Sequence, residues 1–240
     1  MKNKQLSLSA LTLRLLALMF MLLDHMWATV IPGNNWMTWL GRLAFPIFAF
    51  QLAEGYYHTS DFKRYAKRLL LFGLIAELPF NRMLSGSWFF PFHQNVMFTL
   101  LIGLYAIRAM DRAMKTREWN QWMLQTLVVM ALCVLAAITF VDYGGYGVMM
   151  ILVFAACRHL PYTKLFQAAG MIAINIFLME GQIIPVFGME FPVQGFAVLS
   201  LPLIWLYLGE QGPRNKVIQY GSYVFYPLHM LVLAIIPYFS

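Results

Sequence analysis

The sequence predicts an all-α fold, a polytopic membrane helix bundle of about nine transmembrane helices. Two observations carry that prediction. The chain is 61% hydrophobic and only 11% charged over 240 residues, against roughly 45–50% and about 25% for a soluble domain. Its apolar residues also gather into runs long enough to cross a bilayer, for which about 20 residues suffice.

The runs fall at about 8–31, 36–57, 66–84, 95–113, 121–141, 144–160, 164–184, 193–209 and 216–238, each read from its length and apolar content. Pro32-Gly33-Asn34-Asn35 marks the turn between the first two. Pro46, Pro79 and Pro227 fall inside runs and are expected to kink or open them. The connections are short and leave no room for a separate soluble domain, so one membrane domain is expected over residues 1–240. A re-entrant segment around Pro185 to Pro192 is the main alternative to nine spans. The first run exceeds the h-region of a signal peptide and carries charge, so it is expected to remain as the first span.

Charge sets the orientation. Lys2, Lys4, Lys63, Arg64, Lys67, Arg68, Arg108, Arg112, Lys115, Arg117, Arg158, Lys164, Arg214 and Lys216 all fall in alternate connections. The opposite connections hold Arg82 and the acids Asp142, Glu180 and Glu190. The positive-inside rule puts the N-terminus in the cytoplasm and the C-terminus outside. An even number of spans would break the alternation. The net charge of +7 is explained by these connections, which argues against nucleic acid as a partner. Cys133 and Cys157 lie in apolar runs without CxxC spacing. They read as inert thiols, and no metal site is expected.

The functional candidates are the ionisable residues within the runs: Arg14, Asp24, His25, Arg42, Glu54, Glu77 and His229. A charge at mid-span costs on the order of 3 kcal/mol, so such residues usually face the bundle interior. Asp24, His25, Arg42, Glu77 and His229 fall at one depth, in the outer half. Arg14 and His25 lie within about 20° of one helix face and about 16 Å apart along it, as a polar tunnel would require. Neutral His25 would serve as a base near physiological pH. Asp24 points about 100° away from His25 on a regular helix, so it pairs with Arg42 unless the helix unwinds there. Arg42 is also a candidate to stabilise an oxyanion.

Plainer readings accompany each residue. Arg14 would snorkel to headgroups. Asp24-His25 would form an interfacial turn. Arg42 and Glu77 would form a structural pair, and His229 would bond within its bundle. Glu54 and His58 would sit at a solvated helix end. Asn81, His93, Gln94 and Asn95 would line the site or cap helices.

LMFMLLDH (18–25), GRLAFPIFAF (41–50), YGVMMILVFA (146–155) and FYPLHMLVLA (225–234) resemble, in order, blocks of the TraX family. These are bacterial polytopic membrane proteins whose founding activity is acetylation of the N-terminal amine of conjugative pilin. A looser likeness to type-3 membrane acyltransferases lies in Leu13-Arg14-Leu15-Leu16-Ala17, with His25 eleven positions after the arginine. The resemblance implies an acyltransferase of the bacterial inner membrane with acetyl-CoA as donor. His25, Asp24 and Arg42 are its catalytic candidates. Arg14, Glu77, Asn95 and His229 are its binding candidates. The acceptor is open among a protein N-terminus, a glycan and a small molecule. A proton-coupled transporter and a non-catalytic membrane partner use the same buried charges.

Overall fold

The structure is a computed structural model describing residues 7–186, 188–213 and 216–236. Lys2, Lys4 and Arg214, the side chain of Lys216 and the last four residues lie outside the described residues.

Helix α1, Ala10–Thr29, starts where the Ser9 hydroxyl accepts the Thr12 N–H at 3.1 Å. It runs unbroken through Asp24-His25, and the Thr29 hydroxyl bonds the His25 carbonyl at 2.6 Å. The dipeptide is therefore inside a helix and forms no interfacial turn. The second apolar run is not one helix. It divides into α2, Trp36–Gly41, and α3, Ala44–His58, with Arg42 and Leu43 at the break. Pro46 is the third residue of α3, where its missing N–H would have had no intrahelical partner. The expected kink at Pro46 is replaced by this break.

Helix α4, Phe62–Ser85, is capped by Asp61 and ends at Gly86, whose φ of 71° suits a residue without Cβ. Helix α5, Val96–Lys115, is capped by Asn95, and α6 follows over Trp119–Ile138. Helix α7, Gly144–Ala156, closes in a 3-10 turn at Cys157–His159. Helix α8, Thr163–Ile172, continues as wider π turns over Ala173–Leu178. The segment around Pro185 to Pro192, for which re-entry is the alternative to nine spans, is an antiparallel hairpin, β1 Ile183–Val186 with β2 Met189–Pro192. Strand pairing satisfies the backbone of a stretch whose prolines oppose a helix. A 3-10 segment, Val193–Leu199, then leads into α9, Ser200–Trp205. Helix α10, Lys216–Ile235, contains Pro227.

The fold is thus all-α but for this hairpin. Helix α5 packs against α4, α6 and α7, while α10 lies on α4 and α1, and α1 on α2 and α3. The main buried cluster draws on α1, α3, α4, α5, α7, α8, α9 and α10. Helices α1 and α6 are each long and apolar enough to cross a membrane. The outer faces are apolar as well. Leu70, Leu71, Leu74, Ile75 and Leu78 of α4 are exposed, and Ala136 is the one buried residue of α6. Apolar exteriors of this extent need a lipid or protein cover.

Candidate functional site

The break between α2 and α3 positions Arg42. Its Nη2 donates to both carboxylate oxygens of Asp24, at 2.6 Å each, and to the Thr38 hydroxyl at 3.2 Å. Thr38 itself donates to Asp24 Oδ1 at 2.6 Å. Gly41 makes this approach possible, because a Cβ there would collide with the Asp24 side chain. The Asp24–Arg42 pairing expected from the sequence is present. The alternative Arg42–Glu77 pair is not.

Glu77 bonds instead to Asn95. Its Oε2 accepts the Asn95 side-chain amide at 2.5 Å and the Asn95 N–H at 3.2 Å. Asn95 is fully buried, also donates to the Gly73 carbonyl at 2.8 Å, and caps α5 by accepting the Met97 N–H at 3.0 Å. This cluster ties α4 to the start of α5. Buried Asn81 lies on α4, one turn beyond Glu77.

His25 Nδ1 lies 2.8 Å from His229 Nε2, and His229 Nδ1 lies 2.8 Å from the Phe225 carbonyl. A carbonyl only accepts, so His229 Nδ1 carries a proton. With both rings neutral, His229 Nε2 must then accept from His25 Nδ1–H. That leaves His25 Nε2 as an unprotonated acceptor. The rings are nearly coplanar, tilted by 5°.

His25 and Asp24 line a chamber of about 40 Å³ with Met21, Gly41, Phe45, Phe48, Val96, Asp142, Tyr143 and Tyr226. Met21, Phe48, Val96 and Tyr226 also line a cavity of about 100 Å³ that reaches Arg14, Gln51, Tyr65 and Tyr223. Arg14 and Gln51 in turn line a third cavity, of about 80 Å³, with Glu54, His58, Tyr207 and Gln211. The three share walls in series, from the start of α1 to His25. Arg14 forms no ion pair among the described residues, and it stands where the first two cavities of this series meet. Arg42, Glu77, Asn95 and His229 do not line the His25 chamber; they hold residues or helices around it.

Asp142 and Tyr143 belong to the site region although the sequence reading gives them no site role, and His93, a site-lining or capping candidate, joins them. The connection before α5 and that before α7 are joined by bonds from Gln94 N–H to the Phe140 carbonyl and from Asp142 N–H to the Gln94 carbonyl, at 2.8 and 2.9 Å. This brings His93 Nε2 to 3.6 Å from Asp142 Oδ1. The Asp142 carboxylate beside it raises the His93 pKa above its ordinary value. Tyr143 holds a left-handed backbone, φ 62°, with its ring stacked on Phe45 at 4.1 Å. Tyr143-Gly144-Gly145 after Asp142 was the available signal.

At the other end, Glu54 is not a solvated helix terminus. It pairs with Arg158 at 2.6 Å and with His58 at 3.5 Å. Arg68 lies near the Tyr65 and Tyr223 rings, at 5.6 and 6.0 Å. Among the described residues, no group of three or more His, Cys, Asp or Glu is arranged to hold a metal ion. Cys133 and Cys157 are free thiols.

Comparison with known proteins gives the site its relatives. The family described as TraX protein matches residues 9–237. The chain is 30% identical to the probable fimbrial assembly protein FimC, serogroup H1, of Dichelobacter nodosus, over 96% of each chain. No solved structure matches significantly. A match over nearly the whole chain, through every helix that lines the passage, shows that this protein belongs to the TraX family.

Proposed function

We propose that the chain is a polytopic acyltransferase of the bacterial inner membrane, with about nine spans and a cytoplasmic N-terminus. It would move an acetyl group from acetyl-CoA to an amine or hydroxyl acceptor at the outer face. The observation that carries this reading is the series of cavities from Arg14 to His25, ending at an imidazole whose Nε2 is free to take a proton. A row of cavities that ends at a base is what a donor entering from one side needs in order to meet an acceptor.

The CoA phosphates meet basic residues at the cytoplasmic end, with Arg14 the one that lines the passage. The acceptor's lone pair attacks the thioester carbonyl carbon while His25 Nε2 takes the acceptor's proton. The tetrahedral adduct collapses, the C–S bond breaks, and His25 returns the proton to the CoA thiolate. His229 fixes the His25 tautomer and supports the transient imidazolium. Asp24, held by Arg42 and Thr38, lines the chamber; Arg42 acts through it and would stabilise the oxyanion only by turning away from that carboxylate. Glu77 and Asn95 keep α4 and α5 in register around the chamber. The family's founding activity and the fimbrial-assembly name of the Dichelobacter relative make a surface-fibre subunit the first acceptor to test.

Membranes carrying the wild type, His25→Ala or His25→Gln would be given acetyl-labelled acetyl-CoA on the cytoplasmic side. Transfer of label to an outer-face acceptor is expected with the wild type only, with each variant melting as the wild type does. Loss of a general base typically costs about 10²–10⁴ in rate. Full transfer by His25→Ala would overturn the mechanism. A proton-coupled permease is the second reading, because a row of cavities beside buried ionisable groups also suits transport. It predicts uptake or efflux of solute without label transfer.

A further inference from the structure

Arg108 and Arg112 do not line the passage. They stand one turn apart on α5 and, with Tyr105 and Ala109, face Gln125, Val128 and Leu132 of α6 across a separate cavity of about 380 Å³. Neither guanidinium has a carboxylate partner among the described residues. The neighbouring acid, Asp111, is taken by Lys115 at 2.8 Å and by the Tyr56 hydroxyl at 3.2 Å. Arg108 is steadied over the Phe62 ring at 4.2 Å. Two unneutralised cations beside an apolar groove leave a charge that the protein does not itself balance.

We propose that this groove is a binding site for an anionic phospholipid of the inner leaflet. The phosphodiester would sit between Arg108 and Arg112, with Gln125 donating to it, and an acyl chain would run along Val128 and Leu132. Three features favour a lipid over a soluble anion. The groove opens on α6, whose surface is almost wholly exposed and apolar. Beyond the arginines and Gln125 its walls are largely apolar, formed by Tyr105, Ala109, Val128 and Leu132, where a soluble anion gains nothing. Trp119 and Trp122, stacked at 5.0 Å at the start of α6, mark the headgroup level of a bilayer. Basic pockets between helices on the cytoplasmic side are suited to anionic headgroups. The site is separate from the passage and does not depend on the transferase reading.

The test uses purified full-length protein, delipidated in a neutral detergent. Retained lipid is read by native mass spectrometry after addition of phosphatidylglycerol, of phosphatidylcholine with the same acyl chains, or of inorganic phosphate. Preferential retention of phosphatidylglycerol is expected. It should fall at least tenfold in Arg108→Gln/Arg112→Gln, and also in Val128→Trp, which fills the groove and leaves both charges. Lys63→Gln/Arg64→Gln removes equal charge elsewhere and should retain the lipid. Equal retention of phosphatidylcholine, loss in the Lys63/Arg64 variant as large as in the Arg108/Arg112 variant, or an equal response to phosphate alone would overturn the proposal. So would unchanged retention in both groove variants.

Discussion

Removing Arg42 should destabilise the fold through the carboxylate it leaves behind. Its Nη2 sits 2.6 Å from each Asp24 oxygen, and both side chains are about one-fifth exposed, at 23% and 20%. Two unit charges about 4 Å apart interact by about 4 kcal/mol at an effective dielectric constant near 20. Breaking a buried pair by removing one partner costs about 3–5 kcal/mol. Partial exposure softens the penalty, so Arg42→Met should cost about 2–3 kcal/mol. Asp24→Asn leaves a neutral amide that still meets Thr38 and should cost less. The double variant should cost less than the sum, with a coupling of about 1–3 kcal/mol. Reversible unfolding in mixed micelles over the four-protein cycle measures these terms. Single costs below about 0.5 kcal/mol with no coupling would refute the argument that Arg42 neutralises Asp24. The same cycle separates roles. If Asp24 acted by orienting His25, Asp24→Asn would abolish transfer while hardly moving stability.

Other expectations follow from neighbouring contacts. Asn95→Ala removes the α5 cap, worth about 1 kcal/mol, and strips Glu77 of its buried donor, worth about 1–3 kcal/mol; a loss of about 2–4 kcal/mol should appear in the same unfolding assay. Gly41→Ala drives a methyl into Asp24 and should cost about 1–3 kcal/mol. Gly221→Ala, with open space around its Cβ position, should be neutral or better by melting temperature. His93 has a raised folded pKa because of Asp142, so its contribution is full below the ordinary histidine value of about 6.5 and is lost as pH rises through the folded value. The melting temperature of the wild type minus that of His93→Gln should therefore be larger at about pH 5.5 than at about pH 8.5. An equal difference at both pH values would remove the His93–Asp142 interaction from the account.

Much of the site was legible because depth in a membrane span is nearly a one-dimensional coordinate. Counting residues along alternating runs put Asp24 level with Arg42 and His25 level with His229, and each pair is in contact. The same counting could not choose partners around the bundle. Arg42 and Glu77 share a depth, yet Glu77 faces Asn95 across the α4–α5 seam. Sequence also missed the break at Arg42-Leu43. Its apolar neighbours read as one run, and the break is stabilised by long-range bonds from Arg42 to Asp24. The hairpin over 183–192 was not legible, because its two prolines mark an interruption without indicating the strand pairing that satisfies the backbone there. The pairing of Asp142 with His93 could not be read, because each lies in a different connection. Only the backbone bridge at Gln94 and Val141 brings them together.

The measurement closest to the central claim is the melting temperature of the protein in nanodiscs, with and without acetyl-CoA. Desulfo-CoA is the non-reactive analogue and AMP the control. A ligand at 100 times its dissociation constant adds about 2.7 kcal/mol of stability, which a thermal shift reads easily. The account predicts a shift with both CoA compounds, none with AMP, and a smaller one in Arg14→Gln. Absence of any shift at millimolar acetyl-CoA would contradict the claim that the passage from Arg14 to His25 accepts this donor.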